Sequence, residues 1–421
     1  MTGGQRSYAM VILAIVYMFN FVDRQILGIL LPAIREEFQV PDAMLGFLSG
    51  TAFALFYVTL GIPVALIADR WNRRNLIALA VAVWSGMTAL SGMANSFLHL
   101  ALARIGVGIG EAGCSPPAHS MISDMYPPEK RSTAMGFYTV GISAGIMLAY
   151  LAGGWVVQNI GWREAFLIVG LPGLLLAVIV RFTVVEPERG ASEDRRDSGR
   201  SPGVLAVVRF LAARKSFLSM AVAAGLVSLV GYAVIIFFPS FVVRSFDMGI
   251  ATLGVWLGLI LGISGGFGFY IGGYLADHIG KSGQRRSLQF IAVVVLVTSL
   301  LLVATFLSPT PVVALFVFVI PAATANFYLA PVLAQTQSLV GLRMRAVASA
   351  LVLFVINLIG LGIGPWLVGR LSDALQPGFG EESLRYSLVA VSIIVLPIAA
   401  LLLANASRHI EYDLARATES D

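Results

Sequence analysis

Long runs of predominantly apolar residues recur along the whole chain, and Ala9–Val22, Leu76–Ala94, Phe217–Phe238, Phe290–Leu307 and Leu384–Ala404 are examples. A helical membrane span needs about 20 such residues. Backbone groups inside lipid must be hydrogen-bonded within the segment, which leaves only helices or a closed barrel. Barrel strands would alternate apolar and polar residues, and these runs do not. Twelve helices are expected, over 8–34, 43–68, 75–95, 97–123, 132–157, 163–185, 217–244, 251–277, 286–307, 311–340, 346–371 and 384–405. Composition agrees: 58% of the 421 residues are hydrophobic and 12% charged, against roughly 25% charge in a soluble domain. The fold class is an all-α integral membrane protein.

The basic residues orient the spans. With the N-terminus in the cytoplasm, the inner segments carry 20 Lys and Arg residues and the outer segments 5, namely Arg35, Arg163, Arg244, Arg370 and Arg385. That asymmetry obeys the positive-inside rule and puts both termini inside. A net charge of +5 distributed in this way speaks for insertion into a membrane, not for nucleic acid. The first apolar run is interrupted by Asp23-Arg24 and then continues, so no cleavable signal is expected. The single cysteine, Cys114, forms no intramolecular disulfide or Cys-cluster metal site, and reads as a small buried residue within a helix.

The stretch EPERGASEDRRDSGRSPG, Glu186–Gly203, is the one long polar segment and reads as a flexible surface linker. It divides the chain into an N-terminal six-helix bundle (1–185), a cytoplasmic linker (186–216), a C-terminal six-helix bundle (217–405) and a cytoplasmic tail (406–421). The halves echo one another. ALIADRWNRR closes the second span and GGYLADHIGKSGQRR the eighth, with Asp69 and Asp277 208 residues apart. KRSTAMGF and RMRAVASAL open the fifth and eleventh, and Ala-Gly-Gly-Trp155 is matched by Ile-Gly-Pro-Trp366. Duplicated half-bundles are the pattern of alternating-access transporters.

On these residues the chain resembles the major facilitator superfamily along its whole length. Asp69-Arg70-x-x-Arg73-Arg74 matches the superfamily's signature loop between helices two and three, except that its leading glycine is Ala65 here; the second copy keeps Gly273. The resemblance implies a cytoplasmic gate of Asp69, Arg70, Arg73, Arg74, Asp124 and Asp277. In it Asp69 would cap a facing helix of the other half, and Arg73 would pair with Asp124 at the end of helix four. Gly145 with Gly153-Gly154 weakly matches an antiporter motif whose proline is missing. Within the superfamily, Asn20-Phe21-Val22-Asp23-Arg24, ADRWNRR and RIGVGIGEA with Glu111 together resemble the Spinster family. Two decoys are set aside. Gly108-x-Gly110-x-x-Gly113, with Glu129 downstream, spells a dinucleotide fingerprint, but it lies inside an apolar helix without βαβ alternation. There, small residues serve close helix packing. Gly280-Lys281-Ser282 lacks the P-loop's first glycine, Leu275 standing in its place, so transport energy is expected from a gradient.

Only four charges lie well inside the spans: Asp23, Arg24, Arg104 and Glu111. Each costs roughly 2.5 kcal/mol or more and belongs in a bundle interior or wet cavity. Arg104 and Glu111 rise about 10 Å along one helix face, too far for a tight pair, so Glu111 is expected to meet Asp23-Arg24. Burial raises a carboxyl pKa and a nearby arginine lowers it, and a group balanced between the two can load and lose a proton. Asp23 and Glu111 are therefore candidates for proton coupling. Arg24 and Arg104 would hold them in place or contact an anionic headgroup. The alternative is a fixed cluster that pins two helices.

The C-terminal spans hold only neutral polar groups, among them Tyr232, Tyr270, Asn326, Tyr328, Gln335 and Asn357. Asn20, His119, Tyr232, Asn326, Tyr328 and Asn357 are cavity candidates, set against helix packing as the plainer role of such residues. A cavity charged on one wall and apolar on the other suits an amphiphilic anion. The Spinster resemblance implies lysophospholipid or sphingoid-phosphate-like substrates, moved with protons and with no other cofactor. A proton-coupled symporter of small organic anions such as sugar acids is the alternative. A membrane-embedded lipid enzyme would need a nucleophile–base set or a large soluble domain, and neither is visible. One translocation path fits a monomer, and the preference for arginine over lysine suits a bacterial inner membrane.

Overall fold

The structure is a computed structural model that describes residues 1–188, 204–280, 283–341 and 344–418. The core of the polar linker, 189–203, thus lies outside the described residues. All regular elements among the described residues are helical. The first pass is α1 (Gly3–Phe38). The second is α2 (Asp42–Gly46), a π-helical turn Phe47–Thr51 and α3 (Ala52–Arg70). α4 (Arg73–Ser91) is the third, and α5 (Phe97–Glu111) with α6 (Ser115–Met125) the fourth. α7 (Pro128–Asn159) and α8 (Trp162–Thr183) complete the first six.

A short helix, α9 (Val204–Ala212), precedes α10 (Lys215–Phe246), the seventh pass. The eighth is α11 (Ile250–Leu259), a π-helical turn Ile260–Ser264 and α12 (Gly265–Gly280); the ninth is α13 (Gln284–Phe306). α14 (Pro311–Thr324) and α15 (Leu329–Ser338) form the tenth. α16 (Arg345–Val355), a π-helical stretch Ile356–Ile363 and α17 (Gly364–Phe379) form the eleventh, and α18 (Ser383–Thr418) is the twelfth. Leu98, Leu102, Leu171, Leu175, Phe182 and Leu401 are more than half exposed, an apolar surface that only lipid would cover without penalty.

Two compact units result. Unit one holds Met1–Val40, Phe47–Ser198 and Met248–Gly262; unit two holds Pro41–Gly46, Gly199–Asp247 and Ile263–Asp421. In unit one α1 lies along α7, α4 along α8, and α11 against α7. In unit two α10 lies along α18 and the eleventh pass, α13 along α18, and α2 against α17. The backbone carries the duplication too. α1 ends at Gln39 (φ 49°) and α10 at Asp247 (φ 52°), both left-handed and again 208 residues apart. Gly46 and Gly254 share that spacing. A Cβ on Gly46 would stand 2.2 Å from the Pro365 carbonyl oxygen, and one on Gly254 would stand 2.4 Å from that of Tyr150. Only glycine lets those backbones meet.

Several expectations need correction. The fourth pass is not one helix over 97–123: it breaks at residues 112–114, and Cys114 sits in that turn rather than inside a helix. The tenth breaks at 325–328. Proline explains both, because Pro116, Pro117 and Pro331 have no N–H for the carbonyls four residues earlier. The linker contains α9, whose Val207 and Leu211 are buried. The tail at 406–421 is for most of its length the continuation of α18. Asp413 there is buried and accepts from the backbone N–H (3.0 Å) and hydroxyl (2.6 Å) of Ser216, capping α10.

Candidate functional site

The four charges inside the spans meet in unit one, in crossed pairs. Arg104 Nη1 donates to Asp23 Oδ1 at 2.6 Å, and its Nη2 to the Asp23 carbonyl at 3.3 Å. Arg24 Nε donates to Glu111 Oε2. The Thr88 hydroxyl of α4 donates to Asp23 Oδ2, so three helices hold the cluster. Adjacent residues on α1 point about 100° apart, which lets Asp23 and Arg24 reach different levels of α5. Such pairs survive in a low-dielectric interior only when each charge has a close counter-charge.

The four members differ in access. Glu111 is 0% exposed, Asp23 1% and Arg104 3%, whereas Arg24 keeps 16%. The Arg24 guanidinium is ringed by Tyr57 (4.5 Å to the ring centre), Phe53 (4.9 Å) and Phe21 (5.4 Å), distances that favour cation–π attraction. Glu111 Oε1 and both amide atoms of Asn20 are buried without a hydrogen-bond partner among the described residues. Asn20 lies one turn before Asp23 on α1. Sequence reasoning missed Thr88, Phe53 and Tyr57, since nothing in the sequence says which neutral residues of helices two and three face helix one.

The glycines around the cluster let it form. A Cβ on Gly110 would stand 2.6 Å from the Trp84 backbone nitrogen, one on Gly108 2.9 Å from the Phe53 carbonyl oxygen, and one on Gly113 2.9 Å from Ala80 Cβ. The G-x-G-x-x-G spacing therefore brings α5 and the following turn against α3 and α4, as small residues do in membranes.

At the signature loop, Arg73 is buried at the start of α4 and pairs with Asp124 at the end of α6. It also donates to Glu186 Oε1 (2.8 Å), the Ser120 hydroxyl (2.9 Å) and the Pro187 carbonyl (2.9 Å), while Glu186 Oε2 accepts from the Arg74 N–H (2.8 Å). All these partners belong to unit one, so this part of the gate is a clamp joining the third, fourth and sixth passes. Glu186, taken from sequence as the first residue of a flexible linker, is half of that clamp. The side chains of Asp69, Arg70 and Asp277 lie outside the described residues.

The remaining candidates scatter. In unit two, Tyr328 is buried with its hydroxyl beside Ser228 and near Tyr232. Asn326 is half-buried in the turn of the tenth pass. Asn357 donates to the Leu353 carbonyl of its own helix (2.8 Å), a packing arrangement. His119 of α6 is exposed and meets the Tyr138 ring edge-on, with centroids 5.5 Å apart.

Residues 13–365 match the family model of the Major Facilitator Superfamily. The chain belongs to that superfamily. Among its relatives, an MFS-type efflux pump of Mycolicibacterium smegmatis is 32% identical over 98% of this chain and 95% of its own. A hexuronate transporter of Bacillus subtilis is 25% identical over 84% of this chain and 85% of its own. The crystal structure of a bacterial homolog of the human lysosomal transporter Spinster, inward-facing and unoccupied, superposes with a TM-score of 0.89 at 32% identity, covering 98% and 99% of the two chains. This major facilitator is therefore a multi-pass, Spinster-like membrane transporter of twelve helices, not an enzyme.

Proposed function

We propose that this Spinster-like chain is a proton-coupled, alternating-access transporter of amphiphilic anions of the lysophospholipid or sphingoid-phosphate kind. The observation that carries the reading is Arg24. It alone of the four span charges is more than 3% exposed, at 16%, it is flanked by three aromatic rings, and it is paired with the Glu111 carboxylate. With Glu111 ionised, Arg24 is neutralised by it. A proton on Glu111 leaves a guanidinium that favours an anionic headgroup, and the rings offer apolar surface to the tail. Asp23 and Arg104, with every Asp23 oxygen engaged, hold the frame. Residues Asn20, Tyr232, Asn326 and Tyr328 would add neutral hydrogen-bonding surface, and Asp69, Arg70 and Asp277 would complete the cytoplasmic gate. The chain would work as a monomer in a bacterial inner membrane, with both termini cytoplasmic and the proton as its only cofactor. The six-plus-six division, 1–185 and 217–405, is the expected frame for that cycle.

Sugar acids are the second reading, favoured by the hexuronate transporter among the relatives. Binding of lysophosphatidate and of glucuronate to the purified protein at pH 5.5 and 7.5 separates them. The proposal expects lysophosphatidate to bind more tightly at the lower pH and the difference to vanish in E111Q. Glucuronate binding with no lysophosphatidate binding overturns the lipid reading, and affinity independent of pH overturns the coupling.

A further inference from the structure

α9 has nine residues, Val204–Ala212, and every one except Arg209 is apolar. Its length is about 14 Å, too short to cross a bilayer. Within unit two it packs on α16 and α10, and Val207 and Leu211, one turn apart, are the residues it buries. Arg214 closes its C-terminal end: Nη1 donates to the Phe210 carbonyl (2.9 Å), and the guanidinium lies over the Phe210 ring (3.4 Å to its centre). The seventh span, α10, begins immediately after, at Lys215.

The stripe at Val207 and Leu211 leaves the rest of the helix uncovered. At about 100° per residue, Val204, Val208 and Leu205 form one flank beside that stripe, and Arg209 stands at its far edge. Val204 is 59% exposed and Leu205 62%, Val208 is half-buried and Arg209 is exposed. A helix that is apolar on two sides needs an apolar medium against both, and the protein covers only one. The charges around it are one-sided. Residues 195–215 carry the basic side chains Arg195, Arg196, Arg200, Arg209, Arg214 and Lys215 against the single acid Asp197. Arg209 and Lys215 are exposed, and neither has an ion-pair partner among the described residues.

We propose that α9 is a docking surface for anionic phospholipid of the cytoplasmic leaflet, with Val204, Leu205 and Val208 against the acyl chains and Arg209 and Lys215 at the headgroup phosphates. The leaflet follows from the orientation that the basic residues predict. Helices that lie in a membrane interface bury an apolar face at the headgroup boundary and border it with cations, and basic residues next to a span attract anionic lipid. Lipid bound here would brace the starts of the seventh and eleventh passes, because Val207 and Leu211 are buried where α9 meets α10 and α16. The surface belongs to unit two and shares no residue with the charge quartet of unit one, so it stands apart from the transported substrate.

The test uses phospholipids of defined headgroup as the probe. The single native cysteine, Cys114, is buried, so L205C in the otherwise native full-length chain accepts a bimane label at one accessible site. In nanodiscs of phosphatidylcholine, a nitroxide placed high on the lipid acyl chain should quench the bimane, and a water-soluble nitroxide should not. Nitroxide-labelled phosphatidylglycerol should quench more strongly than labelled phosphatidylcholine, with a local preference of about fivefold for each cation. The double variant R209Q/K215Q should abolish that preference while leaving quenching by phosphatidylcholine unchanged. Quenching by the water-soluble nitroxide overturns the proposal, and so does shielding from both nitroxides, as a second copy or another protein seated on α9 would give. Equal quenching by the two lipids, or a preference that survives R209Q/K215Q, overturns the assignment of an anionic headgroup.

Discussion

Arg24 and Glu111, 87 residues apart, are joined across α1 and α5, and the chain neighbour Asp23 is joined to Arg104 on the same α5. The two pairs together are electrically neutral, and they differ in one respect: Arg24 is 16% exposed and Arg104 3%. A neutral, crossed quartet holds two helices in register while leaving one cation within reach of a ligand.

That difference separates the two arginines experimentally. Removing one partner of a fully buried pair costs about 3–5 kcal/mol, so Arg104→Met should lower the thermal unfolding temperature sharply and cut the folded yield. Arg24→Met should cost much less and should abolish binding of anionic substrate. Equal destabilisation by both would show that Arg24 is part of the frame.

Asp23 and Glu111 should likewise part company. Asp23→Asn should act mainly on stability, since three donors converge on that residue. Glu111→Gln, which mimics the protonated state, should leave the fold intact and flatten the pH dependence of transport in proteoliposomes. A pH profile that is unchanged in the Gln variant and altered in the Asn variant would reverse the assignment.

The clamp at Arg73 is expected to be structural within its unit. Arg73→Ala leaves the partly exposed Asp124 and Glu186 without their shared cation, so the loss should fall below about 3–5 kcal/mol, the cost of breaking a fully buried pair. Thermal unfolding in detergent should register it, with Asp124→Asn and Glu186→Gln each giving part of the loss. Unaltered stability in Arg73→Ala would restore the view of a loop that acts only as a gate.

Gly110→Ala should destabilise by about 1–3 kcal/mol, the usual cost of overpacking, because the new methyl meets the Trp84 backbone at 2.6 Å. Gly136, where a Cβ meets nothing within 4 Å, is the matched control, and Gly136→Ala should leave the unfolding temperature unchanged.

Ending the chain at residue 405 should reduce stability although every span is retained. The cut removes Asp413, which caps α10 through Ser216; loss of a cap costs about 0.5–2 kcal/mol. Asp413→Asn in the full chain should reproduce most of the effect in the same unfolding assay.

Twelve spans and an internal duplication were legible because lipid imposes them residue by residue: apolar length, positive-inside bias and repeated loop motifs need no knowledge of contacts. The four charges were legible for the same reason, since a charge in a span must be matched and the candidates were few. Which acid takes which arginine was not legible. It depends on how α1 faces α5, and Gly108 and Gly110 let α5 close on α3 and α4. Glu186 and Asp413 looked like linker and tail because polar composition is the same in a loop and in a capping side chain. The breaks in the fourth and tenth passes were written in Pro116, Pro117 and Pro331. Even so, a proline inside a membrane helix can kink, cap or break it, and neighbouring helices decide between these by re-satisfying the freed carbonyls or leaving them open. Local energetics thus specified what must be buried, and the packing of distant helices specified which buried groups meet.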